Sequence, residues 1–159
     1  MKENKPTFDV IHILPSVILG RNELSTVPSD FASGTNRYVI NIALGHEAPT
    51  PMVGATVFID DCAEIHVLAL DEKVKGNQNF ITNGGEVVWN DVSDIVKNGF
   101  GMELKECGLQ LGGRMDTKPL DLDASETEKI FGMEWVSFRE QVKSVVGHYL
   151  AVVTGEQQI

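Results

Sequence analysis

The apolar positions of the chain form two kinds of pattern, short continuous runs and stripes with helical spacing. Residues 8–14 make an almost unbroken apolar run, which predicts a strand buried on both faces. A stripe at positions 39, 40, 43 and 44 predicts an amphipathic helix that begins near Ser33 or Thr35 and ends at Gly45. Residues 20–33, rich in Ser, Asn, Pro and Asp, lie between strand and helix and predict a loop.

The middle of the chain repeats the order of strand and helix. A strand is expected over residues 55–59 and a helix over residues 62–70. Asp61 and Glu64 have the spacing of a capping box, so Asp61 is predicted to cap that helix. The segment "NFITNGGEVVW" then predicts a strand followed by a turn. Asn90 is expected to cap a helix that ends at Gly99.

Two further Ser-x-x-Glu boxes predict helices near the end of the chain. Ser125 with Glu128 opens a short helix, and Ser137 with Glu140 opens a longer one over residues 138–153. The whole pattern predicts three to four short strands with about five helices. We therefore expect one α/β domain over residues 1–159, with flexible ends at residues 1–7 and 154–159.

Composition excludes several classes of partner. The 159 residues carry a formal net charge of −10 and 13 scattered Lys and Arg residues, so nucleic acid and anionic membrane surfaces are not expected to bind. No apolar run approaches the length of a membrane span or of a signal peptide, and we expect a cytoplasmic protein. The four histidines lack the spacing of metal ligands, and the two cysteines are expected to be reduced.

Four segments carry a resemblance to a known family. "FDVIHILPSVILGRN", "GTNRYVINIALG", "ATVFIDDCAEIHVLAL" and "DASETEKIFGMEWVSFREQV" occur in this order. Together they resemble the C-terminal, substrate-binding half of an extended short-chain dehydrogenase/reductase of the NAD-dependent epimerase/dehydratase superfamily. The similar members are dihydroflavonol, cinnamoyl-CoA and fungal methylglyoxal reductases. The resemblance implies half of that α/β fold, without the dinucleotide-binding (Rossmann) half.

The redox machinery of that family is missing from the 159 residues. No Gly-x-x-Gly-x-x-Gly loop follows a strand, although such a loop binds the pyrophosphate in the family. The catalytic Tyr-x-x-x-Lys pair is also absent, since Ile42 and Val153 stand four positions after Tyr38 and Tyr149. We therefore expect no cofactor and no metal on this chain.

The resemblance assigns several residues to a substrate site. The segment of Pro15, Ser16, Val17 and Ile18 corresponds to the one that lies against the nicotinamide in intact relatives. The helix that begins at Thr35 corresponds to a wall of the substrate pocket. Phe58 belongs to the segment that matches the second strand of the crevice. These six residues are the predicted substrate-binding set.

Four polar residues are candidates for catalysis, each with a structural alternative. Arg21 or Tyr38 could stabilise developing negative charge, and Glu23 or Asp60 could move a proton. Arg21 and Glu23 could equally be a solvated pair on a loop. Tyr38 could be a packing residue, and Asp60 could belong to the start of a helix.

Three functions stay open. The first is a cofactor-independent isomerase or cyclase that acts on a carbonyl-containing secondary metabolite. The second is a fragment of an NADPH-dependent ketone or aldehyde reductase, and the third is a non-catalytic binding or partner protein. Because an apolar strand at the edge of a sheet promotes association, we expect a homodimer that completes the fold and rebuilds a crevice for a small-molecule substrate.

Overall fold

A computed structural model describes residues 7–107 and 111–155, and their order of elements is α/β. The expected flexible ends lie mostly outside these residues. The strands are β1 (Ile11–Pro15), β2 (Val17–Leu19), β3 (Met52–Val53), β4 (Thr56–Phe58), β5 (Gln78–Thr82) and β6 (Thr117–Lys118). The helices are α1 (Asn36–Ala43), α2 (Ile59–Leu68), α3 (Asp91–Glu106), α4 (Ser125–Phe131) and α5 (Phe138–Thr154), with a 3₁₀ turn at Pro28–Ala32.

All three strand pairs are parallel, and two of them meet at Ser16. β1 pairs with β5, β2 with β4, and β3 with β6. β1 and β2 are successive parts of one extended segment that changes partner between them. The backbone N–H of Ser16 donates to Thr82 on β5 at 3.0 Å, and that of Val17 donates to Ala55 beside β4 at 3.1 Å. The segment therefore passes from one pair to the next within one residue.

The first strand is much more exposed than its sequence predicts. Val10 and Leu14 are 42% and 48% exposed, and Phe8 is 67% exposed. Within the described residues β1 has β5 as its one neighbouring strand, so its other edge is open. The prediction of a strand buried on both faces is wrong for this part of the molecule, because no described element covers the side chains of Val10 and Leu14.

The hydrophobic core lies between β2 and the helices α1, α3 and α5. Its centre contains Leu19, Val39, Val92 and Val146, all fully buried. Trp89 is also fully buried, and its indole N–H donates to the carbonyl of Val53 at 2.8 Å. Each such side chain contributes about 1.5–3 kcal/mol when it leaves water. Trp89 therefore ties the segment just before α3 to the segment around Val53.

Two helix boundaries differ from the predicted ones. α2 begins at Ile59, three residues before the predicted start, so Asp61 lies inside its first turn. α3 continues past Gly99 to Glu106 with a kink at Phe100, whose φ is −139°. The second part of α3 forms because Leu104 is fully buried in the core, and that burial outweighs the low helix propensity of glycine. Among the described helices, none has the length and apolarity needed to cross a membrane.

Candidate functional site

The candidate site is a cavity of about 380 Å³ where β1 passes into β2. It lies beyond the carboxyl end of a parallel strand, which is where open α/β sheets place ligands. Four of the six predicted substrate-binding residues, Pro15, Ser16, Val17 and Thr35, line it. Four residues that the sequence did not single out complete the wall: Val53, Ala55, Leu120 and Leu122.

The polar groups in this cavity come from two hydroxyl side chains. The Oγ atom of Ser16 is buried and has no hydrogen-bond partner among the described residues. A buried hydroxyl without a partner costs free energy, so Ser16 favours a ligand atom that can bond to it. The hydroxyl of Thr35 donates to the carbonyl of Ile18. Ser16 is therefore the unsatisfied group of the cavity.

Reciprocal hydrogen bonds between Gly20 and Asn36 hold α1 against the segment after β2. The backbone N–H of Gly20 donates to Asn36 Oδ1 at 3.2 Å, and Asn36 Nδ2 donates to the Gly20 carbonyl at 2.6 Å. Gly20 has φ 144°, and a Cβ there would lie 2.5 Å from a methyl carbon of Ile59. Only glycine fits such a position. No pattern in the sequence indicated the role of Asn36, because 16 residues separate the pair.

The other two predicted substrate-binding residues lie next to this cavity. Ile18 lines a neighbouring cavity of about 240 Å³, which shares Thr35 with the first one. Phe58 lies beside Gly20, where its ring limits the space around the glycine. The predicted set is thus divided between two adjoining cavities and the wall of one of them.

Arg21 and Glu23 form a pair on the loop beyond β2. Arg21 Nε lies 2.9 Å from Glu23 Oε1, and the side chain of Glu23 is 77% exposed. The backbone N–H of Arg21 donates to Ser144 Oγ on α5 at 3.1 Å. This arrangement matches the structural alternative of a solvated loop pair, which contributes little to stability.

Neither Tyr38 nor Asp60 makes a hydrogen bond or ion pair with Arg21 or Glu23 among the described residues. Tyr38 is half-buried on α1 with its ring centroid 5.8 Å from that of Trp89, and it lines a third cavity. Asp60 is exposed in the first turn of α2. The four candidates for catalysis therefore do not converge on one cavity, so the geometry offers no acid and base acting together there.

Asp61 has a different role from the predicted helix cap. It is buried, and its Oδ2 atom accepts a hydrogen bond from the backbone N–H of Val136 at 2.9 Å. Burial raises the pKa of Asp61, and the charges of Glu64 and Asp60 act in the same direction, while the bond from Val136 opposes them. The side chain joins α2 to the segment before α5 instead of capping its own helix.

The histidines do not form a metal site. His12 is bonded to Asn79 Oδ1 through Nδ1 at 2.8 Å, and it is exposed on β1. His148 is buried on α5, and burial, followed by the charge of Arg21, lowers its pKa. Within residues 7–107 and 111–155 no cluster of His, Cys, Asp or Glu could hold a metal ion.

The described residues do not fit the pyrophosphate of a dinucleotide. Gly84 follows β5, but a Cβ on it would lie 3.1 Å from the carbonyl of Thr56 and 3.2 Å from Gln141 Nε2. Its backbone N–H already donates to Thr56 at 2.7 Å. This glycine allows close packing and leaves no row of free N–H groups for a phosphate. Gly99 and Gly101 lie inside α3.

Comparison with known proteins identifies homologues that match this chain over one part of their length. No protein-family model matches the chain. Ketoreductase CTB6 of Cercospora beticola is 37% identical over 158 residues, which cover 94% of this chain and 44% of that protein. The chain is homologous to the extended short-chain dehydrogenase/reductase family. It spans less than half the length of the curated relatives it matches.

Solved structures show the same fold relationship. Gre2 from Candida albicans in complex with NADPH has a TM-score of 0.73 at 18% identity, covering 95% of this chain and 46% of that one. Yeast methylglyoxal/isovaleraldehyde reductase Gre2 gives a TM-score of 0.68 at 17% identity, over 91% of this chain and 47% of that one. The predicted resemblance to one part of this α/β fold is confirmed, with more and shorter strands than predicted.

Proposed function

We propose that this chain is the substrate-binding part of an NADPH-dependent reductase of ketones or aldehydes, completed by a dinucleotide-binding part. The relationship to ketoreductase CTB6 supports the reaction class. Because Gly84, Gly99 and Gly101 offer no row of free N–H groups for a pyrophosphate, the proposal assigns the redox chemistry to the other part. The similarity to ketoreductases supports this second hypothesis of the sequence better than a cofactor-independent isomerase or cyclase.

One observation carries the proposal. The cavity wall at Pro15, Ser16 and Val17 begins at the last residue of β1. Within the described residues the second edge of that strand is open. Unpaired N–H and C=O groups at such an edge favour pairing with another strand. The segment that lines the cavity is therefore the one at which a further part of the fold would join.

The side chains of the cavity suit a carbonyl substrate. Val17, Val53 and Leu122 supply apolar walls, which exclude water from a reacting carbonyl. The unpartnered hydroxyl of Ser16 can donate to the carbonyl oxygen, where negative charge develops during reduction. In this proposal the chain binds and orients the ketone or aldehyde and does not itself supply the hydride.

A chimera tests the proposal. The part of ketoreductase CTB6 that this chain does not match is joined to residues 1–159, and NADPH oxidation is followed with methylglyoxal, isovaleraldehyde and a panel of ketones. We expect reduction by the chimera and none by the 159-residue chain alone. Ser16→Ala should lower kcat/KM about ten-fold through loss of one hydrogen bond. Ser29→Ala, a change at an exposed serine outside the described cavities, serves as the control.

Two results would contradict the proposal. Turnover of a carbonyl compound by the 159-residue chain without NADPH would favour the isomerase or cyclase. A folded chimera that binds NADPH but reduces none of the compounds would favour a non-catalytic binding protein.

A further inference from the structure

A separate cavity of about 290 Å³ lies between α1 and the loop that precedes β3. Its floor includes the apolar side chains of Ile42 and Met115, both buried. Arg37, Tyr38 and His46 lie around it. It shares no lining residue with the cavity at Ser16, and its combination of apolar and basic groups differs from the apolar and hydroxyl wall there.

The walls of this cavity are held by backbone hydrogen bonds. Ala48 donates to the carbonyl of Arg114 at 2.8 Å, and Arg114 donates to that of His46 at 3.1 Å. Gly113 packs so closely that a Cβ on it would lie 2.4 Å from the His46 carbonyl oxygen. Two prolines, Pro49 and Pro51, also line the cavity and restrict the backbone. A preformed cavity requires little ordering when a ligand binds.

The guanidinium group of Arg37 is positioned at this cavity. Its Cζ atom lies 5.0 Å from the centroid of the Tyr38 ring, and Nη2 donates to the Tyr38 hydroxyl at 3.2 Å. Arg37 forms no ion pair with a described carboxylate, although the protein carries 23 acidic residues against 13 basic ones. Four of its five N–H donors are left for a ligand.

We propose that this cavity binds a small carboxylate with an apolar body, with Arg37 holding the carboxylate and the floor holding the body. A guanidinium group binds a carboxylate through two parallel hydrogen bonds. A volume near 300 Å³ is at the lower end of ligand cavities, which suits a compact molecule. Glu47, which also lines the cavity, opposes an anion. The inference does not require the reductase function.

Titration calorimetry on the 159-residue chain with benzoate as the probe tests this site. We expect binding of benzoate and at least ten-fold weaker binding of benzamide, which has the same ring without the charge. Arg37→Gln should weaken benzoate binding about ten-fold or more. The control is Arg139→Gln, at an exposed arginine of α5 that makes no described ion pair. It also removes one positive charge from the protein and should leave the affinity for benzoate unchanged. Glu47→Gln should tighten binding.

Methionine methyl resonances give the location of the probe. Met52 and Met115 line the cavity, whereas Met102 is 76% exposed on α3, so benzoate should shift the first two signals and leave the third in place. The proposal is overturned if benzoate fails to bind at about 10 mM, if benzamide binds equally well, or if the Met52 and Met115 signals do not move. Equal affinities of Arg37→Gln and Arg139→Gln would also overturn it.

Discussion

Asp61 makes stability depend on pH in the direction opposite to that of a carboxylate whose pKa is lowered by folding. Because burial raises its pKa, the folded protein holds this proton to a higher pH than the unfolded chain does. Its ionisation therefore lowers the free energy of unfolding as pH rises above about 4. Asp61→Asn keeps an acceptor for Val136 and removes the charge, so we expect higher stability at pH 7 and a difference that disappears in acid.

The measurement is urea unfolding at pH 4 to 8. Asp61→Ala also removes the acceptor for Val136 and should be about 1 kcal/mol less stable than Asp61→Asn. Asp60→Asn, at the exposed neighbouring position, is the control and should change stability little. A lower stability of Asp61→Asn at pH 7 would show that the charge of Asp61 stabilises α2.

His148 gives a second pH dependence, with the opposite sign. Its lowered pKa means that the unfolded chain binds a proton more readily than the folded protein. Stability is therefore lost as pH falls below about 6.5, the ordinary value of a histidine, towards the lower folded value. His148→Phe should reduce the decrease in the free energy of unfolding at low pH. It should also keep the edge contact with Phe31, whose ring centroid lies 5.1 Å from that of His148. His66→Gln, on the exposed side of α2, should retain the loss.

At the residue scale, the segment that the resemblance assigns to the substrate site lines a cavity, whereas the four candidates for catalysis do not line a common one; substrate binding at this cavity stays a prediction. Pro15, Ser16 and Val17 line this cavity. The position at which a strand ends is set by residues close to it in the sequence, and it is therefore visible in a local pattern. The backbone at Arg21 is instead held by a hydrogen bond to Ser144, which lies 123 positions away in the sequence. No local pattern could show where that loop would be held, although the sequence did allow for Arg21 and Glu23 forming a pair on it.

At the scale of elements, two Ser-x-x-Glu boxes of equal spacing behave differently. Ser137 is the N-cap of α5 and accepts from the backbone N–H of Glu140 at 3.4 Å. Ser125 is the first residue of α4, and Asp123 accepts a bond from its N–H. We expect Ser137→Ala to cost about 0.5–1 kcal/mol and Ser125→Ala to cost clearly less, as measured by thermal unfolding. Equal costs would mean that the long bond at Ser137 contributes little.

The helices were more predictable than the strands for a physical reason. α1 and α5 have continuous apolar stripes that pack on the core, so their periodicity is visible in the sequence. β3 and β6 have two residues each, too few for any periodic pattern. Their pairing depends on contacts between residues about 65 positions apart, from Met52 to Thr117. Such strands form because the surrounding helices bring their backbones together.

At the scale of the whole molecule, we expect the open edge of β1 to determine how the chain associates. Exposed apolar residues lie along or beside this strand, with Phe8 67%, Val10 42% and Leu14 48% exposed. The reductase proposal assigns this edge to a dinucleotide-binding part. In the isolated 159-residue chain the same edge can pair with a second copy, so the expected homodimer remains a prediction.

Sedimentation velocity over a range of micromolar concentrations checks this prediction. We expect the isolated chain to self-associate, because two open edges satisfy each other's N–H and C=O groups and cover apolar side chains. Leu14→Asp places a charge beside the edge and should shift the equilibrium towards monomer. Leu70→Asp changes a leucine that is 82% exposed just beyond α2 and should not. A well-folded monomer at all concentrations, or equal association of both variants, would exclude the β1 edge as the contact. The same Leu14→Asp change should leave benzoate binding intact, because the cavity at Arg37 does not include β1.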